Sequence, residues 1–454
     1  MAALTQAEMD AIVDRHPIVF AGSRRKQATR WLIGLGVVAY LCFAWWIFAI
    51  GAVLANGNWG IAGIYLADWA SYESRPNIDF TDEGLHVRFP RFSAYNENRQ
   101  PDWIELQDLR SPGVAGRVSM TIGRDGSVEI EPGRVTARRG SESVAIAISP
   151  DETVTAEGPL PSWAEQDKPG DSILMRFGFA GSVEVEGDEV KVRHRFWGWE
   201  NFVFDANSPF WGKSFGEVIS MVWSGERIRP EMSNAALAWN NILNNAEWQH
   251  GDVWLKLGQT IVMAFVGTVF ASLLAFPLAF AAARNITRSR IVNQMTKRLF
   301  DFLRSVDMLI WALFFTRAFG PGPLAGISAI FFTDTGTFGK LYSETLENID
   351  DRQREGIRSV GAAPVLVQRY GVVPQVLPIF ISQSLYFWES NTRSATIIGA
   401  VGAGGIGLKL WEAMRTNSDW ENVAYMVLLI LIVVFVFDNI SNFLRKRLAG
   451  QAAR

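Results

Sequence analysis

At 454 residues the chain has length for two to three domains. Its 43 Lys and Arg balance 46 Asp and Glu, a net of −3, which excludes a protein that acts through a basic field on nucleic acid. A single cysteine, Cys42, excludes an intramolecular disulfide framework, and four scattered histidines argue against a His-built metal centre.

Apolar residues make up 49% of the chain and charged residues 20%, and the two kinds segregate into long apolar blocks with charges between them. The first block, 31–55, carries no charge; at about 25 residues it exceeds the ~20 that a bilayer core requires. It is longer than a signal-peptide core and follows a polar leader, so it reads as an uncleaved anchor. Arg24, Arg25, Lys26 and Arg30 on its N-terminal flank place the N-terminus in the cytoplasm. Further apolar blocks cover 257–283, 302–319, 324–342, 376–401 and 423–444. Basic residues follow the second (Arg284, Arg288, Arg290, Lys297, Arg298) and the last (Arg445, Lys446, Arg447). The expected fold is an α-helical polytopic membrane protein of about six transmembrane helices, with an inserted mainly-β extracytoplasmic domain. Both termini lie in the cytoplasm, and the membrane is the cell inner membrane. The divisions are a cytoplasmic segment 1–30, a first span 31–55, an insert 56–252, a transmembrane domain 253–447 and a cytoplasmic tail 448–454.

The insert reads as strand over about 75–205. Val183, Val185, Val190 and Val192 alternate with polar residues on either side of Gly187-Asp188, as a hairpin does. Val118, Ile122, Val128 and Ile130 flank Asp125-Gly126 in the same manner, and Val144, Ile146 and Ile148 form a third alternating run. No catalytic grouping occurs in it, which suits a structural or docking domain; a private ligand-binding role is the other reading. The aromatic run Phe196, Trp197, Trp199, Phe210, Trp211 and Trp223 fits either the membrane interface or ordinary core. A helix over 214–224 is expected before the second span.

The polar stretch 343–375 contains Glu355, Gly356, Ile357 and Gly361, then Gly371 and Pro374. A short helix, a glycine break, a second short helix and a proline make a compact elbow on the cytoplasmic face. Spanning a bilayer does not require such an elbow; docking into a groove on a soluble partner does.

This spacing resembles the EAA loop of ABC importer permeases. Glu355, Gly361 and Pro374 hold the matching positions, Gly356 and Ile357 replace the two alanines, and Gly371 stands where isoleucine is usual. The flanks narrow the resemblance to the phosphonate ABC transporter permease: Trp311 to Gly326, Gly339 to Glu347, Arg393 to Gly407, and Thr268, Pro277 and Asn285 in and after the second span. The resemblance covers about 250–447 together with the first span, and leaves out the β-rich insert. It implies a permease that dimerises with a second copy or a related permease, docks cytoplasmic ATP-binding subunits and receives cargo from an extracytoplasmic phosphonate-binding protein. It makes 355–374 the ATPase-coupling loop and implies import of phosphonates or related phosphorus oxyanions.

Gly402, Gly404, Gly405 and Gly407 formally match G-x-G-x-x-G, but a membrane helix precedes them rather than a strand, which excludes a dinucleotide fingerprint. Such glycines suit either close helix packing or an anion path lined by backbone amides. Glu389 and Arg393 lie four apart on one helix face beside Asn391, and are either a structural pair or part of the translocation path. Arg304 and Asp307 are expected to pair within the third span, and Lys340, Glu344 and Glu347 to form a solvated helix end. No P-loop occurs, so the chain is not itself an enzyme, and ATP is hydrolysed by a separate subunit. No cofactor, metal or nucleic acid is expected, and membrane lipid is the solvent. Two other classes are a membrane sensor reading a ligand outside, for which the chain after the last span is too short an output domain, and a secondary transporter, for which no internal repeat is visible.

Overall fold

The computed structural model describes residues 15, 24–57, 63, 66–90, 93, 95–96, 99–416 and 420–452. Most of the segment 1–30, expected to be cytoplasmic, and part of the expected tail 448–454 therefore fall outside the described residues. The chain divides into two units, 1–65 and 66–454. In the first, α1 (Arg24–Ile47) leads through Ala49, at a left-handed φ of 47°, into the short α2 (Ile50–Asn56). Residues Ala28–Ile47 are long and apolar enough to cross a membrane.

The second unit opens with two antiparallel sheets. One holds β1 (Ser71–Ser74), β2 (Asn77–Thr81), β3 (Gly84–Arg88), β5 (Val114–Ala115), β11 (Ala164–Gln166), β12 (Ile173–Arg176), β13 (Gly181–Val185) and β14 (Glu189–Trp197). The other holds β4 (Ile104–Gln107), β6 (Arg117–Ile122), β7 (Gly126–Glu131), β8 (Arg134–Arg139), β9 (Glu142–Ile148) and β10 (Val154–Ala156). Period-2 alternation drives the packing: Val118, Met120 and Ile122 turn inward while their neighbours face out, and they meet Ile78, Leu85 and Val183 of the other sheet in one apolar cluster. Both hairpins read from the sequence form, with Val183 opposite Val192, Val185 opposite Val190, and Val118 opposite Ile130.

The helical part follows. Ser214 and Glu217 close a capping box that starts α3 (Phe215–Trp223), and α4 (Asn234–Leu243) comes next. Then come α5 (His250–Ala282), α6 (Arg290–Ser305), α7 (Met308–Phe319), α8 (Pro323–Glu347), α9 (Asp351–Ser359), α10 (Pro364–Val367), α11 (Val373–Ile398), α12 (Gly405–Thr416) and α13 (Trp420–Ala452). His250–Ala282, Pro364–Ala403 and Trp420–Leu448 are long and apolar enough to span. With Ala28–Ile47 these make four such helices among the described residues.

On α5 a face of small residues (Ala264, Gly267, Ala271, Ala275, Ala279) is wholly buried. A Cβ on Gly267 would stand 2.7 Å from Ile330 of α8, so the absent side chain is what lets the two backbones approach. The block expected as one span, 302–319, is instead broken at Val306. Asp307 caps α7 by accepting from Leu309 N–H at 2.8 Å, and Arg304 pairs with Asp301 rather than with Asp307.

The aromatic run divides between core and surface. Phe210 is fully buried and Trp199 packs on Trp248, whereas Trp223 is exposed. His250, at the start of α5, fastens the chain leaving β14. Its Nε2 lies 2.6 Å from the Phe202 carbonyl and so carries the proton, which leaves Nδ1 to accept from Tyr425 OH at 2.7 Å.

Candidate functional site

The chain breaks at Gly361 as the sequence suggests, but it does not break at Pro374: the second short helix continues into the long one that follows. Asp350 caps α9 through Arg352 N–H at 3.0 Å, and the helix runs out at Ser359. Gly361 then turns the chain at φ 81°, where an L side chain is strained. After α10 the helix runs on without a break, widened by one residue through 368–372, and Pro374 sits at the start of α11 inside that continuous helix, where it removes one helical N–H donor. Gly371 is buried in this widened stretch, and a Cβ there would stand 3.2 Å from Ile357 Cδ1 and 3.3 Å from Arg354 Cα. Gly371 thus lies where the two limbs of the elbow meet, against Ile357 and the Arg354 backbone. Glu355, Gly356, Gly361 and Pro374 face outward, in company with the exposed Val360, Val365, Leu366 and Tyr370.

Polar bonds fix the elbow to the turn after α5. Arg354 Nη1 donates to the Asn285 carbonyl at 3.3 Å, and Asn285 Nδ2 donates to the Leu346 carbonyl at 2.7 Å. Glu347 accepts from Lys297 Nζ at 2.8 Å and from Arg284 N–H at 2.9 Å. Glu347 is therefore a joint between segments rather than a solvated helix end, and Lys340 reaches toward Asp301. Beside this joint a cleft of ≈ 450 Å³ lies between the end of α8 and the start of α11, with Glu344, Asn348, Asp350 and Gln375 on its walls.

Further along α11 the polar stretch splits by face. Glu389 is buried and accepts from Arg393 Nη2 at 3.0 Å, while the Arg393 side chain stays 61% exposed. Asn391 turns the other way, where its amide donates to Thr268 Oγ1 of α5 at 2.8 Å and to the Asp334 carboxylate of α8. All three residues of this cluster are buried. A second cluster joins the same helices: Ser272 Oγ, Tyr342 OH and Ser384 Oγ stand within 2.9 Å of one another. Asp334 is the important residue that sequence reasoning passes over. The available signal was a carboxylate inside an apolar run, which at bilayer depth is costly and so needs a partner.

The glycine run forms the turn between α11 and α12. Gly402, Gly404 and Gly405 take φ of 98°, 82° and 72°. Gly322 N–H donates to the Gly402 carbonyl at 3.0 Å, and Ile406 N–H donates to Thr260 Oγ1 at 2.9 Å. A Cβ on Gly404 would lie 2.9 Å from Pro323 N, and one on Gly407 would overlap the Thr396 carbonyl. Gly404, Gly405 and Gly407 are buried by these neighbours. Of the residues singled out in the sequence, the structure therefore gathers the elbow set in one place. It sets Asn391 in the polar core, and it holds the glycines apart at the far end of α11.

Residues 275–450 match the family of binding-protein-dependent transport system inner membrane components. A phosphite transport system permease protein of Stutzerimonas stutzeri is 38% identical over 42% of this chain and 70% of its own length. A phosphate-import permease protein of Mycolicibacterium smegmatis is 32% identical over 43% of this chain and 37% of its own. A protein of Escherichia coli K12 named as a cryptic phosphonate transport system permease is 50% identical over 26% of this chain and 96% of its own. On these matches the chain belongs to the family of binding-protein-dependent transport system inner membrane components.

Proposed function

We propose that the chain is the permease subunit of an ATP-driven importer whose cargo is phosphonates or closely related phosphorus oxyanions. The relatives named for phosphite, phosphate and phosphonate support that cargo class. The observation that carries the coupling role is the exposed elbow. Glu355, Gly356, Gly361 and Pro374 face outward beside Val360, Val365, Leu366 and Tyr370, an apolar knuckle suited to a groove on a cytoplasmic ATPase. The knuckle's two limbs meet at Gly371, against Ile357 and the Arg354 backbone, so a push on α9 is passed to the start of α11.

In this reading α1, α5, α8, α11 and α13 are spans and α6 and α7, broken at Val306, together make the sixth crossing, with both termini and the elbow inside and the β domain outside. The partners are two ATP-binding subunits, an extracytoplasmic binding protein and a second permease. Arg393, exposed beside its buried counter-ion Glu389, faces the path of an anionic cargo, and Asn391 backs that face from the core. Gly402, Gly404, Gly405 and Gly407 form its close-packed outer turn. The test is uptake of labelled methylphosphonate by cells lacking the gene and by the same cells complemented, with phosphite and phosphate as competitors. Restored uptake that resists phosphate supports the reading. Unchanged uptake in cells that express the ATPase and binding protein moves the cargo elsewhere.

A further inference from the structure

The β1–β14 pairing sets Tyr72 opposite Phe196 and Ser74 opposite His194. Alternate residues share a sheet face, so these four side chains stand together. Glu73 and Arg195 lie between them in the register and pair with each other on the other face. Tyr72 stacks on Phe196 at 5.3 Å, and Trp103, just before β4, stands edge-on to His194 at 4.6 Å. Tyr72, Ser74, Tyr95, Asp102, Trp103 and Phe196 line a cavity of ≈ 500 Å³, a volume typical of small-molecule sites.

Two features point to an occupant. Ser74 Oγ is buried in the cavity wall and has no hydrogen-bond partner among the described residues. Opposite it, His194 accepts Gly123 N–H at Nε2 (3.3 Å), which leaves the proton on an unpartnered Nδ1. Buried polar atoms are seldom left this way unless a ligand or water completes them.

The second feature is charge. Asp102 has no ion-pair partner among the described residues, and Glu200 stands near enough for its charge to act on both tyrosines. Burial and Glu200 push the Tyr72 phenol up to about 12, so the ring stays neutral. Arg99 also acts on Tyr95, but its guanidinium lies over Trp211, 3.8 Å from the ring centroid. Aromatic faces are electronegative, and with the Asp102 carboxylate on the same cavity wall they attract a cation rather than an anion.

We propose that this cavity binds a small organic ammonium ion of the choline type. Tyr95, Trp103 and the stacked Tyr72–Phe196 pair line the pocket for the alkylated head, and Asp102 supplies the counter-charge. The site lies wholly in the β domain, so binding is measured without reference to transport.

The test uses the full chain in nanodiscs of phosphatidylethanolamine and phosphatidylglycerol, which carry no choline head. Radiolabelled choline is titrated in a scintillation proximity assay. Saturable binding is expected, displaced by tetramethylammonium and not by its neutral isostere 3,3-dimethylbutan-1-ol. Trp103→Ala should weaken it about tenfold or more, and Asp102→Asn, at an exposed position that leaves the core untouched, about fivefold. If Trp103→Ala proves unstable on heating, Asp102→Asn alone decides. No saturable binding up to about 10 mM choline, equal displacement by the neutral isostere, or full affinity in Asp102→Asn would each overturn the proposal.

Discussion

Asn391 is the single donor to the buried Asp334 carboxylate among the described residues, and it shares its amide with Thr268. Replacing it by Leu strands a buried acid, and the expected loss is about 2–4 kcal/mol. Melting in detergent should show the loss, and Asp334→Leu added to Asn391→Leu should recover part of it; a double variant no better than the single one counts against this account. His194 sets a pH dependence in the β domain. Burial holds its imidazole down to about 4, against an ordinary value of 6.5. Above pH 6.5 neither the folded nor the unfolded chain holds the proton. Between 6.5 and 4 the unfolded chain takes it up and the folded one does not, so stability falls as pH falls, by roughly 1.4 kcal/mol per unit and about 3 kcal/mol in all. His194→Gln should flatten the melting profile of the β domain between pH 7 and 4.5, and a wild-type profile already flat would refute the assignment. The spacing of Glu389 and Arg393 made their pairing legible in the sequence. Asp334 was not legible, because a lone carboxylate in a helix carries no sign of an amide on another helix.

Among the elements, the elbow depends on two glycines for different reasons. Gly361→Ala places a Cβ at φ 81° and should cost about 1 kcal/mol locally. Gly371→Val instead drives α9 off the start of α11, because Arg354 Cα cannot give way as a side-chain tip can. Reconstituted with its ATPase, Gly371→Val should insert normally yet lose cargo-stimulated ATP hydrolysis about tenfold, a barrier change of about 1.4 kcal/mol. Normal stimulation would detach the elbow from coupling. The hairpins were legible because alternation and a Gly-Asp or Asp-Gly turn fix a register locally. The break at Val306 carries a signal in the sequence: Asp307 stands just before Met308, Leu309 and Ile310, which is how a capped helix begins. Hydropathy averages across such a cap and reports one span.

At the scale of the whole molecule, the sidedness of the β domain is the proposal most open to direct measurement. Cys42 is the only cysteine, so Cys42→Ser gives a clean background. In it, Asp151→Cys at an exposed turn should react with an impermeant maleimide on intact spheroplasts. Arg352→Cys, exposed on the elbow, should react only after permeabilisation. The reverse pattern would invert the topology. The two polar clusters bear on how such a molecule can move. Thr268 and Ser272 are one helical turn apart on α5, Asp334 and Tyr342 about two turns apart on α8, and Ser384 and Asn391 two turns apart on α11. They act as two rivets through the same three plates. A slide of one residue along any plate shears both rivets at once, so α5, α8 and α11 travel as a block. On the importer reading proposed above, opening and closing then falls to the turn at Gly402 and to the helices outside that block.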